Sequence, residues 1–233
     1  MLSQLIQELQ SNADEKQAEI CKRFFKTEKG QYDEGDVFLG IKVPLQRSIA
    51  KKYLNMSLPK IQELLKSKIH EYRAIGLIIL VSKYKKASDR EKENIFNFYL
   101  KNTKRVNNWD LVDISTPKIV GDFLLKRDKN ILYKLAHSEN LWERRIAIVS
   151  TFSFIQKGEF EDALAISEIL LDDKHDLINK AVGWMLREVG KCDEEVLENF
   201  LRQHYAEMPR TTLRYALEKF NEDKRKRILR GQF

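Results

Sequence analysis

Two stretches of the chain hold side chains that could do chemistry together. In RVNNWDLVDISTPKIVG, 105 to 121, Trp109 and Asp113 stand four residues apart, so on a helix they share one face, one above the other. An indole beside a carboxylate offers a π-face to apolar or cationic groups, and a negative charge that can stabilise a developing cation. In NKAVGWMLREVGK, 179 to 191, Lys180, Trp184, Arg187 and Lys191 follow at steps of four, three and four, a single helical stripe, while Val182, Leu186 and Val189 make a separate apolar one. A helix with this pattern buries the second stripe and shows the first. Three cations interleaved with an indole suit phosphates and the face of a sugar or base. An isolated Trp in such a place can equally fill the space between helices.

Other chemistries find little support. The histidines His70, His137, His175 and His204 are scattered singly without ligand spacing, so no metal is expected. No GxGxxG, Walker-type or GxSxG element is present, and no cofactor is expected. Asp110, at an early helical position, is expected to favour the helix N-terminus rather than join Asp113, and Asp122 lies too far along to share its face. The terminal run EDKRKRILRGQF, rich in Lys and Arg, is expected to be a solvated last helix.

These side chains must be held by helices, because apolar residues recur at three- and four-residue steps nearly everywhere: Leu2, Leu5, Ile6, Leu9; Ile61, Leu64, Leu65, Ile69; Val196, Leu197, Phe200, Leu201. No stretch alternates as a strand does. The segment TEKGQYDEGD, 27 to 36, is expected to be a long flexible loop. The segments EYRAIGLIILVSKY, LWERRIAIVSTFSF, LINKAVGWMLREVG and RTTLRYALEKF superimpose on the anchors Arg73, Arg145, Lys180 and Arg214, with Trp109 midway between the first two. The steps are 36, 36, 35 and 34 residues, the period of a two-helix repeat. The expected fold is all-α: a HEAT-like helical-repeat solenoid, a single domain over 1–233, with a basic concave surface on which the anchor cations converge.

A count of 42 Lys plus Arg against 35 Asp plus Glu gives a net charge of +7, which points to a polyanionic partner. Cys21 and Cys192 lie far apart with no CxxC neighbour, as in a reduced, cytoplasmic chain. No signal peptide and no membrane span are visible. A monomer is expected, since solenoids with polar ends close off their own cores.

FLGIKVPLQR (38 to 47), NNWDLVDISTPKIVGDFLL (107 to 125), LWERRIAIVS (141 to 150) and AVGWMLREVGK (181 to 191) together resemble the bacterial DNA alkylation repair family of HEAT-like-repeat DNA glycosylases. The resemblance implies excision of positively charged N3- and N7-alkylated purines from double-stranded DNA. It matches Asp113 to the catalytic carboxylate and Trp109 and Trp184 to the two indoles lining the cleft. Arg145 and Arg187 match cations that meet the DNA backbone, to which the stripe adds Lys180 and Lys191 and the repeat register adds Arg73 and Arg214. Some active members carry a second Trp where this chain has Asn108, and a family aromatic that can be Tyr is Phe24 or Phe25 here. The alternative is a helical-repeat scaffold that binds DNA or protein without catalysis, because the family also contains members without glycosylase action.

Overall fold

The computed structural model describes every residue from Met1 to Phe233. Its helices, in chain order, are α1 (Leu2–Ser11), α2 (Glu15–Phe25), α3 (Val43–Ala50), α4 (Leu58–Leu65), α5 (His70–Lys86), α6 (Asp89–Lys101), α7 (Trp109–Thr116), α8 (Asp122–Leu124), α9 (Asn130–Ala136), α10 (Leu141–Ser150), α11 (Phe152–Ile155), α12 (Glu161–Ile169), α13 (Asp176–Cys192), α14 (Glu194–His204), α15 (Arg210–Ala216) and α16 (Glu222–Leu229). No sheet forms; a lone parallel bridge joins Val37 and Ile69. Two compact units divide the chain, Met1–Ser115 and Thr116–Phe233.

Local chemistry sets the helix ends. Asp14 caps α2 by accepting the amide of Gln17 at 3.0 Å, and Ser88 and Glu91 form a reciprocal capping box on α6. In the second unit Asn140 caps α10, Asp193 caps α14 and Asn221 caps α16, each taking one or two amides of the first turn that have no helical partner. Pro117, which has no N–H to donate, begins a five-residue π turn, Pro117–Gly121, at the end of α7.

The repeat read from the sequence is the repeat of the structure. Arg73 is the fourth residue of α5, while Arg145, Lys180 and Arg214 are each the fifth residue of α10, α13 and α15, so the superimposed segments are equivalent helices. Three of them pack on a shorter helix before them in the chain, α4 against α5, α9 against α10 and α12 against α13, while α15 packs on α13. Their cores are aliphatic: Ile61, Leu64, Leu77 and Leu80 in the first unit, Ile146, Ile166, Val182 and Leu186 in the second. At about 25 cal/mol per Å² of apolar surface, such layers are what a two-helix unit gains by stacking.

The segment 27 to 36 departs from the expectation of a flexible loop. It is a succession of turns whose acids reach inward, Asp33 to the side chain of Asn108 and Asp36 to Arg73 and His70. Sequence composition shows that such a segment is polar; it does not show that buried partners wait for its acids. Just beyond it, the carboxylate of Glu71, 1% exposed, accepts the amides of Leu39, Gly40 and Ile41 at 2.9, 2.8 and 3.2 Å. That triple acceptance ties the end of the loop to α5.

Candidate functional site

In the first unit the candidate residues sit at the start of α7. Leu111, Val112 and Ser115 are buried, and Ser115 shares a hydrogen bond with the hydroxyl of Tyr99 at 2.9 Å; Trp109, Asp110 and Asp113 are left half-buried on the other side. Trp109 and Asp113, one turn apart, therefore share this half-buried face of α7. Asn108, fully buried, accepts the amide of Trp109 at 2.7 Å and donates to Asp33 at 2.8 Å. A second indole at 108 would have no oxygen with which to accept the amide of Trp109.

The indole of Trp109 rests on aromatics from α2. It stacks on Phe25 with centroids 5.4 Å apart and meets Phe24 edge-on at 5.8 Å. Phe25 in turn stacks on Phe38 at 5.1 Å and tilts against His70 at 5.0 Å. Phe25 is thus the aromatic built into the support of Trp109, while Phe24 is 62% exposed. Aromatic contacts of these geometries are worth roughly 0.5–1.5 kcal/mol each beyond their buried area.

Behind the aromatics lies a charged network that sequence reading missed. His70, 3% exposed, has Nε2 2.9 Å from Asp110 Oδ2 and Nδ1 3.3 Å from Asp36 Oδ2. Both ring nitrogens face carboxylates, the arrangement of an imidazolium donating twice. Burial alone favours the neutral ring, but the charge and hydrogen bond of Asp110, with the hydrogen bond of Asp36, overcome it and hold the His70 pKa up at about 9. Asp33 is pushed up to about 8 by burial and by the charge of Asp36. Asp36 is shifted down despite its own burial, through its bonds with His70 and the cation of Arg73.

Arg73 does not reach the surface. At 2% exposure its guanidinium donates to Asp36 and to the carbonyl of Ser67, so the charge expected to face DNA is spent inside the first unit. Asp110 likewise does more than favour a helix N-terminus, since it holds His70. The ligand atoms of Asp33, Asp36 and His70 lie within 4.8 Å of one another, a donor set that suits a divalent cation in kind. The guanidinium of Arg73 on Asp36 and the doubly bonded imidazolium put positive charge where an ion would sit, so the cluster does not fit a resident metal.

In the second unit α13 presents the stripe read from the sequence. Val182, Leu186 and Val189 are fully buried, and Trp184 and Arg187 are half-buried. What the reading missed is Glu188, 5% exposed, which gathers the stripe. Its carboxylate accepts Trp184 Nε1 at 3.2 Å, Arg187 at 3.2 Å and Lys191 at 2.6 Å. Arg187 also reaches Glu218, and Lys180 pairs with Asp176 at 2.6 Å. Phe152 borders Trp184 with centroids 6.0 Å apart. Gly183, just before the indole, lets α15 approach: a Cβ there would stand 2.5 Å from Tyr215 Cβ and 2.6 Å from the carbonyl of Thr212.

Arg145, 6% exposed, sends its guanidinium to the carbonyl of Leu177 at 2.7 Å and so braces α10 against the start of α13. Arg144, its neighbour, binds Asp173 at 2.6 Å. Arg214 is exposed on α15. In the terminal run Lys224 pairs with Glu194 at 2.6 Å and with Glu198, Lys226 pairs with Glu222 at 2.6 Å, and Arg227 and Arg230 are exposed.

Comparison with known proteins adds three findings. A family model described as DNA alkylation repair enzyme matches residues 5–220. A solved structure of a predicted DNA alkylation repair enzyme from Enterococcus faecalis aligns at 17% identity and a TM-score of 0.71, over 91% of this chain and 98% of that one. AlkD2 from Streptococcus mutans aligns at 15% identity and a TM-score of 0.57, over 88% of this chain and 99% of that one. Among curated proteins no sequence matches. At these identities the two structures share the fold with this chain. No helix is long and apolar enough to cross a membrane.

Proposed function

The chain belongs to the DNA alkylation repair enzyme family, and from that premise we propose that it is a glycosylase that hydrolyses the N-glycosidic bond of cationic N3- or N7-alkylated purines in double-stranded DNA. Membership in the family supports a role in DNA repair and an enzymatic one. The observation that carries the finer reading is the face of α7 that Trp109 and Asp113 share, one turn apart and half-buried, backed by Phe25 and by the Asp110–His70 pair.

The chemistry asks for little more. When C1′–N breaks, the electron pair goes to the base, which was positive and leaves neutral, so no acid is required to protonate it. The deoxyribose takes on oxocarbenium character, which the carboxylate of Asp113 stabilises. Asp113 also orients the water that attacks C1′ and accepts its proton. Trp109 in the first unit, and Trp184 in the second, each offer a π-face to apolar or cationic groups of the DNA, worth about 0.5–2 kcal/mol. Arg187, Lys180, Lys191 and Arg214 take backbone phosphates, and the protein acts as a monomer. The brace from Arg145 to the Leu177 carbonyl supports the helix that carries Trp184 and Arg187.

The deciding experiment is single-turnover base release from a duplex methylated at N7 of guanine, at low salt, with the unmutated protein and Asp113→Asn. Free 7-methylguanine from the unmutated protein only is the expected result, with DNA affinity of the variant equal or higher because a negative charge near phosphate is gone. If neither form releases base while both bind DNA, the protein is a non-catalytic DNA-binding scaffold. Equal release by both forms removes Asp113 from the mechanism.

A further inference from the structure

The first unit contains a recess that the repair reading does not use. It has a volume of about 600 Å³, within the range of small-molecule sites, and lies where the turn after α3, the start of α4 and the end of α5 meet α6. Lys51, Lys52, Lys83 and Lys86 line it, with the hydroxyl groups of Ser57 and Ser82 and the amides of Asn55 and Asn94. Lys52 pairs outward with Glu8 at 2.6 Å, and Lys83 is 3.4 Å from the carbonyl of Leu54. Lys51 and Lys86 have no carboxylate partner. The single acid on the wall, Glu91, is committed to the capping box of α6, where it accepts the amide and hydroxyl of Ser88 at 2.9 and 2.7 Å.

Lys52 and Lys83 have acidic neighbours in Glu8 and Glu91, but Lys51 and Lys86 have none, so the recess keeps an excess of positive charge that a multivalent anion relieves. The composition of the wall says which anion. No guanidinium is present, so the anion is met by lysine point charges, which can approach a tetrahedral phosphate from several directions, and by the hydroxyls of Ser57 and Ser82. No aromatic lines the recess either, so a nucleobase finds no stacking surface there. Recognition therefore falls on the phosphates. Lys83 stands thirteen residues beyond His70 on α5, roughly 20 Å at 1.5 Å per residue, so the recess is at the opposite end of that helix from the network behind Trp109.

We propose that this recess is a phosphate-binding site for a ligand carrying two or more adjacent phosphate groups, separate from the Trp109 and Asp113 face. Such phosphates come either from a free polyphosphate compound or from the backbone of a nucleic acid. The test is calorimetric titration of the full chain with inorganic triphosphate at low salt, and in parallel with undamaged duplex DNA. The unmutated protein is compared with the double variant Lys51→Gln/Lys86→Gln and with Lys85→Gln, a neighbouring exposed lysine outside the recess. All are surface changes, and equal melting temperatures establish equal folding.

A loss of triphosphate affinity of at least tenfold in the double variant, against twofold or less in Lys85→Gln, supports the site. Unchanged duplex affinity in the double variant then assigns the site to a free polyphosphate; a parallel tenfold loss of duplex affinity assigns it to backbone phosphate. Equal losses in both variants, or no triphosphate binding at millimolar concentration together with unchanged duplex affinity in the double variant, overturn the proposal. Neither result depends on base excision, so failure of the glycosylase reading leaves this test intact.

Discussion

Asp110 takes a hydrogen bond from Nε2 of His70 at 2.9 Å, and the two residues, forty positions apart, begin or nearly begin α7 and α5. The bond fixes the first turn of α7 from below while Phe25 fixes the Trp109 ring from the side. His70 touches Phe25, Phe38, Asp36 and Asp110 at once, so its removal releases both supports of Trp109. His70→Asn, which keeps a donor but loses the second bond and the ring, is expected to slow single-turnover base release at least tenfold while changing DNA affinity less than threefold. A loss of affinity as large as the loss of rate argues instead for general unfolding of the first unit, and thermal melting separates the two.

The same network makes stability depend on pH. His70 has its folded pKa raised from 6.5 to about 9, so its contribution is complete below about 6.5 and lost as the pH rises through 9. Asp33, raised from 3.8 to about 8, acts in the same direction over the window from about 4 to 8. Asp36, shifted down, contributes above its unfolded value and loses that contribution only as the solution becomes acidic. The unfolding free energy is therefore expected to fall between pH 6.5 and 9.5, by roughly 3 kcal/mol for a shift of the size His70 shows. A His70→Asn variant should flatten the upper part of this dependence; an unchanged slope in that variant removes His70 as its source.

The sequence was informative where a contact is local and silent where it is not. Helix periodicity, the 34 to 36 residue register and the stripe on α13 are all written in spacings of three, four or one repeat, and the fold carries each of them. The charged network joins Asp33, Asp36, His70, Arg73, Asn108 and Asp110, whose partners stand 34 to 75 positions apart in the hydrogen bonds between them. No spacing rule reaches that far, which is why the loop carrying the two acids looked merely polar and Arg73 looked like a surface cation. Glu188 is a different omission. It lies four residues from Trp184 and three from Lys191 on one helix, so its place beside both was legible in the spacing.

Glu188 makes a clear experimental case because it holds an indole and two cations with a single carboxylate. Glu188→Gln keeps the shape and an acceptor for the Trp184 N–H but drops the charge that partly neutralises Arg187 and Lys191. DNA binding by the variant is expected to tighten and to become steeper in salt, since more net positive charge faces phosphate. Glu188→Ala also removes the acceptor, so tryptophan emission should shift and base release should slow. If Glu188→Gln instead binds DNA more weakly, the carboxylate serves to aim Arg187 rather than to restrain it.

Gly40 tests whether the loop anchored by Glu71 matters to the whole first unit. Its φ is +79°, and a Cβ there would stand 2.2 Å from the carbonyl oxygen of Asp14 and 2.5 Å from the amide of Ala18, both backbone atoms at the start of α2. The left-handed conformation costs an alanine about 1–2 kcal/mol, and forcing α2 away adds a further 1–3 kcal/mol or so. Because α2 carries Phe24 and Phe25, the displacement should be felt at Trp109. Gly40→Ala is expected to lower stability by roughly 3 kcal/mol and to change the tryptophan fluorescence of the folded protein, whereas Gly30→Ala, with a similar φ but open space around it, should cost only the conformational part. Equal losses in the two variants place the whole effect in the backbone conformation and leave α2 where it is.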